Sequence, residues 1–303
     1  MRLFTRRLGV IAHFLFVSLG AFFLTAPAAG LAASITPVIG AIDRNTAAWQ
    51  VRYAASGGAA DAAFVYGLPS WTPLLGDWTG GGNEGIGEFD PNSATWYLRD
   101  TASAGGPTIA PFAFGGPHWK PVSGRWIAGS AKSGIGVFDP ATATWYLRDT
   151  ASPGAPSVSP FVFGAPGFVP VVGDWNGDGT DGIGVFDPAT GTWYLRNSLS
   201  AGAPDYSFAF GPPGWLPVAG DWNGDGVAGI GVVDPNTETW YLRNSLSAGA
   251  PQVSPFVFGS PGSDVVAGEQ VQVPEPGYAG VCVILLVCGA MRRTQNTRIE
   301  DGR

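Results

Sequence analysis

Histidine and cysteine are almost absent from this sequence. Its 303 residues include His 2 and Cys 2. His13 lies in an apolar N-terminal run, and Cys282 and Cys288 lie in an apolar C-terminal run, so the part between them has the single imidazole of His118 and no thiol. Disulfides, cysteine–histidine catalysis and histidine-rich zinc sites are therefore excluded from that part. A serine–histidine–aspartate triad there would have to use His118.

Charged residues are also scarce, whereas glycine, proline and aromatic residues are abundant. Charged residues make up 13% of the chain and aromatic residues another 13%, with Gly 46 and Pro 26. Long amphipathic helices need charge on their solvent side and few glycines or prolines, so this composition argues against them. The aromatic content argues against disorder, because such side chains bury a large core. Many short strands joined by tight turns are expected instead.

The N-terminus has the three parts of a secretory signal peptide. Arg2, Arg6 and Arg7 precede an apolar stretch from Leu8 to Leu24, and small residues follow from 26 to 33. A basic start, an apolar middle and a small-residue end are typical of a cleaved signal. We therefore interpret residues 1–33 as a signal peptide, with a retained membrane anchor as the alternative.

The C-terminus combines a short motif, an apolar run and a basic pair. In order, these are Val273, Pro274, Glu275 and Pro276, the uncharged run 277–291, and Arg292 with Arg293. Residues 273–303 resemble the PEP-CTERM sorting signal. The resemblance implies export through the inner membrane, transient anchoring by the transmembrane segment 277–291, and transfer by an exosortase-type transpeptidase to the cell surface or exopolysaccharide matrix. The alternative is an ordinary single-span membrane anchor.

Residues 34–272 contain a repeat. Trp-Tyr-Leu-Arg occurs four times, and a degenerate copy, Trp49-Gln50-Val51-Arg52, precedes it. Successive arginines of the five copies are 47, 49, 48 and 47 residues apart. A period of 40–50 residues is typical of propellers and stacked arrays. Each period divides into four strand-like pieces separated by glycine, proline and aspartate turns, which predicts an all-β unit.

The copies are circularly offset along the chain. The first piece of a unit occurs at 71–78, 119–126, 168–175 and 215–222. Its fifth copy, at 263–268, is degenerate and comes last. The other three pieces begin the chain, at 39–43, 48–52 and 63–67. A last strand that completes the first unit closes a ring and removes two open sheet edges. The sequence therefore predicts a five-bladed β-propeller of four-stranded blades with a three-plus-one closing blade.

Two glycine-rich turns place oxygen side chains at alternate positions. These side chains are Asp174, Asn176 and Asp178 in one turn and Asp221, Asn223 and Asp225 in the other. Such oxygens suit calcium. An EF-hand is excluded because Val185 and Val232 stand where its last glutamate belongs.

These turns resemble the calcium loops of integrin-type FG-GAP and VCBS repeats. The resemblance covers most of residues 38–270 and implies that the six side chains are calcium ligands. Gly182 and Gly229 stand where the family has its final ligand; Asp181, one residue early, is a substitute candidate in the first loop, whereas Ala228 is not in the second. The alternative is a metal-free aspartate–glycine turn.

Charge and aromatic residues suggest the class of partner. Residues 34–272 hold 9 Lys/Arg and 20 Asp/Glu. An acidic surface disfavours nucleic acid and anionic membranes, and it is compatible with sugars. Trp71, Trp119, Phe168 and Trp215 open successive units and are candidates for stacking on sugar rings, with propeller core as the alternative role. We therefore expect a non-enzymatic binding, structural or adhesive protein that recognises polysaccharide or cell-surface glycans.

The competing hypothesis is an extracellular glycoside hydrolase built on the propeller. Glycoside hydrolysis needs two carboxylates at a defined separation. The acids that break the repeat are Glu84, Glu88, Glu238 and Glu269. They are the candidates for such a pair, although a chain that repeats itself so closely favours binding over catalysis.

Overall fold

The computed structural model describes residues 34–272. The predicted signal peptide and sorting tail, including Val273–Pro276, Arg292 and Arg293, lie outside the described residues. Within residues 34–272, twenty strands form five antiparallel sheets of four strands each. No helix of this part of the chain is long and apolar enough to cross a membrane.

Each sheet is one blade, and its strands follow one another from the inside of the ring outwards. The closing blade contains β20 (Asp264–Gln272), β1 (Ser34–Asp43), β2 (Ala48–Arg52) and β3 (Ala62–Val65). The second blade contains β4 (Thr72–Gly76), β5 (Gly85–Asp90), β6 (Thr95–Arg99) and β7 (Ile109–Ala113). The third contains β8 (Lys120–Gly124), β9 (Gly134–Asp139), β10 (Thr144–Arg148) and β11 (Phe161–Val162). The fourth contains β12 (Val169–Gly173), β13 (Gly182–Asp187), β14 (Thr192–Arg196) and β15 (Tyr206–Ala209). The fifth contains β16 (Leu216–Gly220), β17 (Gly229–Asp234), β18 (Thr239–Arg243) and β19 (Phe256–Val257).

The ring closes through strands from the two ends of the propeller. β20 pairs with β1 in a continuous antiparallel register from Ser34 opposite Gln272 to Ile42 opposite Asp264. The innermost strands β4, β8, β12, β16 and β20 contact one another in that order, and β20 also contacts β4. The predicted five-bladed all-β propeller with a three-plus-one closing blade is therefore confirmed.

The repeated sequence explains why each blade forms. In every Thr-Trp-Tyr-Leu-Arg strand the Trp and Leu side chains are buried and the Tyr is half-buried, as strand alternation requires. The neighbouring strand is buried almost throughout. A Cβ atom on Gly184 of β13 would lie 2.6 Å from Leu195 and 2.8 Å from Val171. Glycine is required there because strands on both sides approach it closely.

The hydrophobic core lies between blades. Five clusters of buried residues each join one blade to the next, and every interface has its own Trp from the repeated strand. Trp193 is fully buried, and its Nε1 donates a hydrogen bond of 2.9 Å to the carbonyl oxygen of Phe210. Each blade therefore depends on its neighbour for much of its core, as in other repeat architectures.

The repeated Asp and Arg side chains form hydrogen bonds with the turns and loops next to them in sequence. The Asp187 carboxylate accepts hydrogen bonds from the backbone N–H of Ala189 and the hydroxyl of Thr190, which fixes the hairpin. The Arg196 guanidinium donates to the carbonyl oxygens of Ser200 and Ala203 in the loop that follows. Both residue types thus stabilise connections within a blade.

Candidate functional sites

An aromatic pair recurs in four of the five blades. The residue directly before the innermost strand packs against the Tyr of the repeated strand. Ring-centroid distances are 4.4 Å for Trp71 and Tyr97, 4.6 Å for Trp119 and Tyr146, 5.9 Å for Phe168 and Tyr194, and 4.8 Å for Trp215 and Tyr241. All eight side chains are half-buried, so they leave part of each ring accessible.

Three of these pairs line a groove between blades. The 2–3 groove, named after the blades on its two sides, has a volume of about 410 Å³, the 3–4 groove about 310 Å³ and the 4–5 groove about 380 Å³. Each groove also contains a Phe and a Gly from the first of its two blades and a Pro from the outer loop of the second. These residues are Phe114, Gly115 and Pro156 in the 2–3 groove, Phe163, Gly164 and Pro204 in the 3–4 groove, and Phe210, Gly211 and Pro251 in the 4–5 groove. These volumes fall at the small end of those typical of ligand sites, and aromatic lining is typical of such sites.

The predicted stacking residues therefore have a mixed role. Trp119, Phe168 and Trp215 lie in the grooves, yet each also covers the Tyr of its own blade. The tyrosines that line the same grooves were not among the predicted site residues. Their signal is the strand alternation in Trp-Tyr-Leu-Arg, which places Tyr on the opposite side from the buried Trp and Leu.

The two interfaces of the closing blade differ from the other three. At the interface with the second blade, Glu88 lies opposite Tyr97 in the strand register. In the fifth blade the equivalent position opposite Tyr241 is Val232, so Glu88 puts a carboxyl where that blade has an apolar side chain. Glu88 is 1% exposed and accepts a 3.1 Å hydrogen bond from Trp49 Nε1. Burial raises its pKa to about 9.

At the interface with the fifth blade, the aromatic pair is missing. Ser263 precedes β20 where the other blades have Trp or Phe, and Gln50 stands in the place of Tyr. Glu238 is fully buried at the edge of this interface. It occupies the hairpin position that is Ala143 in the third blade. Burial raises its pKa to about 7, and the backbone N–H groups of Ser263 and Gly262 oppose the shift.

The two predicted calcium loops are organised around their first aspartate. The Asp174 carboxylate accepts hydrogen bonds from the backbone N–H groups of Gly177, Asp178 and Gly179, at 2.7–3.2 Å. Asp221 holds its own loop in the same way. Both first aspartates are buried. Their side chains thus already satisfy the N–H groups of a tight turn.

The remaining predicted ligands point elsewhere. Asn176 Nδ2 donates to Asp178 at 2.9 Å, and Asn223 Nδ2 donates to Asp225 at 2.8 Å, on the exposed side of each loop. Within residues 34–272, no three His, Cys, Asp or Glu side chains lie together in a way that would hold a metal ion. The second and third predicted ligands of each loop thus contact each other, while the first aspartate holds the turn, and calcium binding by these loops stays a prediction.

Asp181 joins two blades instead of completing a loop. Its backbone N–H donates to the carbonyl oxygen of Arg125 at 2.9 Å, and its Oδ2 accepts from the backbone N–H of Arg125 at 2.6 Å. Ser133 makes the same reciprocal pair with Asp77, at 2.7 and 3.0 Å. Burial raises the pKa of Asp181 to about 6, and Arg125 opposes the shift.

A cavity of about 250 Å³ lies on the propeller axis, at the ends of the innermost strands. Arg125 extends from the third blade and forms an ion pair with Glu269 of the closing blade, which is not its neighbour. Arg125 Nε also lies 3.9 Å from Asp181. The ion pair therefore spans one side of the cavity and links blades that share no interface.

The structure separates the four glutamates that break the repeat. Glu84 and Glu269 line the axial cavity together. Glu88 and Glu238 lie at the two interfaces of the closing blade instead. Burial raises the pKa of Glu84 well above its usual value, with Glu269 as a second cause. His118 is exposed in the turn before β8, and its backbone N–H donates to the carbonyl oxygen of Pro91.

Comparison with known proteins gives only distant structural similarity. Neither a protein-family model nor a curated protein matches the sequence. Two crystal structures of BBS1N in complex with ARL6DN, one soaked with mercury and one with lead, are similar at 13% and 14% identity, with TM-scores of 0.37 and 0.39. The matches cover 61% and 63% of this chain, and 58% and 59% of those chains.

Proposed function

We propose that this protein is a non-enzymatic binding protein of the cell surface or extracellular matrix, and that its aromatic grooves bind sugar rings. The observation that carries the proposal is the recurrence of one groove, with the same aromatic pair and proline, at three consecutive blade interfaces. A core residue would be expected to be buried at every interface. These aromatic rings stay half-buried and line open grooves.

The chemistry of the grooves favours neutral carbohydrate. Their lining is mainly aromatic, proline, glycine and small aliphatic residues, with no charged side chain among the residues of the three grooves. Sugar rings present apolar C–H faces that pack on aromatic rings, and their hydroxyl groups remain hydrated at the groove mouth. Several equivalent sites on one ring also raise the apparent affinity for a repeating polymer without any new contact.

The sorting interpretation supports the same function. A signal peptide and a PEP-CTERM-like tail would bring the propeller to the compartment in which exopolysaccharide lies, with an exosortase as its processing partner. Whether the tail is cut is testable by mass spectrometry of the exported protein. Cleavage at 273–276 supports sorting, and an intact tail in the membrane fraction supports an ordinary anchor.

The proposal is tested with a glycan array that carries neutral polysaccharides, probed with the full-length protein. We expect saturable binding to at least one neutral glycan. A variant with Trp119→Leu and Trp215→Leu keeps apolar volume but removes two ring platforms, and it is expected to lose most of the signal. Tyr53→Leu is the matched control, because Tyr53 is an exposed aromatic residue outside the grooves. A protein without array signal above background would contradict the proposal.

Glycoside hydrolysis is the second candidate, because Glu84 and Glu269 line one cavity. Two features make it the weaker one. Glu269 is paired with Arg125, and the Glu84 carboxyl is close to the backbone N–H of Glu269. Glu269 thus has a structural partner, and one oxygen of the Glu84 carboxyl lies beside a backbone donor, whereas its Oε2 has no hydrogen-bond partner among residues 34–272. Sugar cleavage by the wild-type protein that disappears in Glu84→Gln would establish the enzyme.

A further inference from the structure

The axial cavity combines residues that repeat in every blade with residues that occur in one blade only. Five equivalent positions follow a repeated glycine, which ends the innermost strand in four blades and lies within β20 in the closing blade, and four of these positions are acidic. They are Asp77, Arg125, Asp174, Asp221 and Glu269. Glycine before each position keeps side chains out of the strand end, and a Cβ atom on Gly268 would lie 3.2 Å from the Glu84 carboxyl carbon. The repeat thus leaves space on the axis, and both repeated and non-repeated acidic residues line this space.

The lining of the cavity has an excess of negative charge. Five carboxyl groups line it, and the Arg125 guanidinium is the cation among the lining residues; the carboxyls belong to Asp77, Glu84, Asp174, Asp181 and Glu269. Arg125 is already engaged with Glu269 and Asp181. Lys132 is exposed near Gly80 and does not line the cavity. A positively charged ligand would therefore lower the electrostatic free energy of this cavity.

Glu84 supplies a second, independent observation. Its Oε2 atom is inaccessible to solvent and has no hydrogen-bond partner among residues 34–272. The side chain lines the cavity. Buried polar atoms are almost always paired in native proteins, so an unpaired one indicates a missing partner. Because burial also raises the pKa of Glu84, the carboxyl favours its protonated form on its own, and a cationic hydrogen-bond donor in the cavity would both pair with Oε2 and hold the group ionised.

The geometry favours an organic cation over a metal ion. No three acidic, His or Cys side chains within residues 34–272 converge as metal ligands, and about 250 Å³ is far more than one dehydrated ion needs. A primary ammonium group carries three donors and a full charge, so it can bond to several carboxylates that are too far apart to share a metal. We propose that the axial cavity binds a small organic cation that bears a primary ammonium group.

This site is independent of the proposed sugar grooves. Trp71, Trp119 and Trp215 directly precede the innermost strands, whereas Asp77, Arg125 and Asp221 directly follow them, at the opposite ends. Failure of sugar binding therefore leaves the cation site untouched, and the reverse also holds. Each proposal fails on its own measurement.

The test is a calorimetric titration of the full-length protein with 1,4-diaminobutane at pH 7.5. We expect saturable binding, with a Kd at least tenfold weaker in Glu84→Gln, because the amide keeps the side-chain volume but cannot ionise opposite the bound cation. Glu238→Gln is the matched control, since it alters a buried glutamate outside the cavity and is expected to keep wild-type affinity.

Two further ligands keep the result interpretable if Glu84→Gln does not fold. Tetramethylammonium has the charge but no N–H donor, and 1,4-butanediol has the shape but no charge; neither is expected to bind the wild-type protein. Absence of saturable diamine binding would overturn the proposal. So would equal binding of tetramethylammonium, or a folded Glu84→Gln variant with unchanged affinity.

Discussion

The three interfaces between the second and fifth blades differ in kind from the two interfaces of the closing blade. The former share one groove, one aromatic pair and an apolar floor. The latter carry buried carboxyls, Glu88 on one side and Glu238 on the other, and the aromatic pair is missing from the second of them. Glu84 and Glu269 also lie where the closing and second blades meet the axis.

This difference shows where a repeat protein gains its asymmetry. Identical blades repeat one binding groove, because the same residues meet at each interface. The closing blade is built from the two ends of the propeller, so its two interfaces carry side chains found nowhere else in the ring. All four glutamates that break the repeat lie at its borders or within it. Sites that need one copy of a feature are therefore expected there.

The largest expected effect concerns Glu88 and pH. Its raised pKa means that the folded protein holds a proton that the unfolded chain releases between about pH 4.5 and 9. Stability therefore falls as the pH rises through this window, by at most about 1.4 kcal/mol per pH unit. Glu88→Gln keeps the Trp49 hydrogen bond without a charge, and it is expected to stabilise the protein by about 2–4 kcal/mol at pH 8 and by little at pH 4.5.

Urea denaturation of wild type and Glu88→Gln at several pH values measures this effect. The urea concentrations at the unfolding midpoint, plotted against pH, are expected to coincide for the two proteins near pH 4.5 and to separate as the pH rises. Parallel curves, or a variant that is less stable at pH 8, would show that Glu88 is ionised in the folded state.

The next effect concerns the ion pair across the axis. Arg125→Gln leaves Glu269 and Asp181 without their cation, and it is expected to cost about 2 kcal/mol, because both side chains are largely buried. Adding Glu269→Gln should recover much of the loss, since no unpaired charge remains there. Arg44→Gln breaks the exposed pair with Asp264 and is expected to cost under about 1 kcal/mol.

Thermal or urea unfolding of these proteins, together with the Glu269→Gln single variant that completes the double-mutant cycle, gives the coupling energy between Arg125 and Glu269. An Arg125→Gln cost no larger than that of Arg44→Gln would mean that the axial ion pair does not link the blades energetically.

A smaller effect concerns the number of sugar sites. Of the five blade interfaces in residues 34–272, four have the aromatic pair and three of these also form a groove. A small neutral glycan is therefore expected to bind at three or four sites per chain. Trp215→Leu should remove one site and leave the others with unchanged affinity. Native mass spectrometry counts the bound molecules directly; a single site in the wild type would refute the equivalence of the grooves.

The smallest effect concerns calcium. The loop carboxylates already hold their own N–H groups, so any calcium site is expected to be weak. Millimolar calcium at about ten times Kd would add about 1.4 kcal/mol, which is about 2–4 °C in Tm for a chain of this size. The double variant Asp178→Ala and Asp225→Ala should lose the response. A melting curve that neither calcium nor a chelator moves would end the metal proposal.

The fold was predictable from the sequence because its evidence is local and repeated. The arginine spacing gives the period, and the late copy at 263–268 predicts the closing strand that pairs with Ser34–Asp43. The alternation of Trp-Tyr-Leu-Arg predicts which rings are buried. These patterns need no knowledge of how one blade meets another.

The sites were less predictable because they depend on contacts between blades. Asp181 is in its own loop by sequence, yet its partner is Arg125 of the preceding blade. Arg125 and Glu269 meet although 144 residues separate them. The Tyr beside each groove residue is distant in sequence but adjacent in its blade. Strand pairing fixes such contacts in space, and the repeat pattern alone does not state them.

The most direct test of the sugar-binding grooves is fluorine NMR of the full-length protein labelled with 5-fluorotryptophan. The chain has Trp 12, and single Trp→Phe variants assign each resonance. On titration with the neutral glycan that gives the strongest array signal, the resonances of Trp119 and Trp215 are expected to shift, while those of the core residues Trp145, Trp193 and Trp240 stay unchanged. Shifts confined to other tryptophans, or none at saturating glycan, would contradict the central claim.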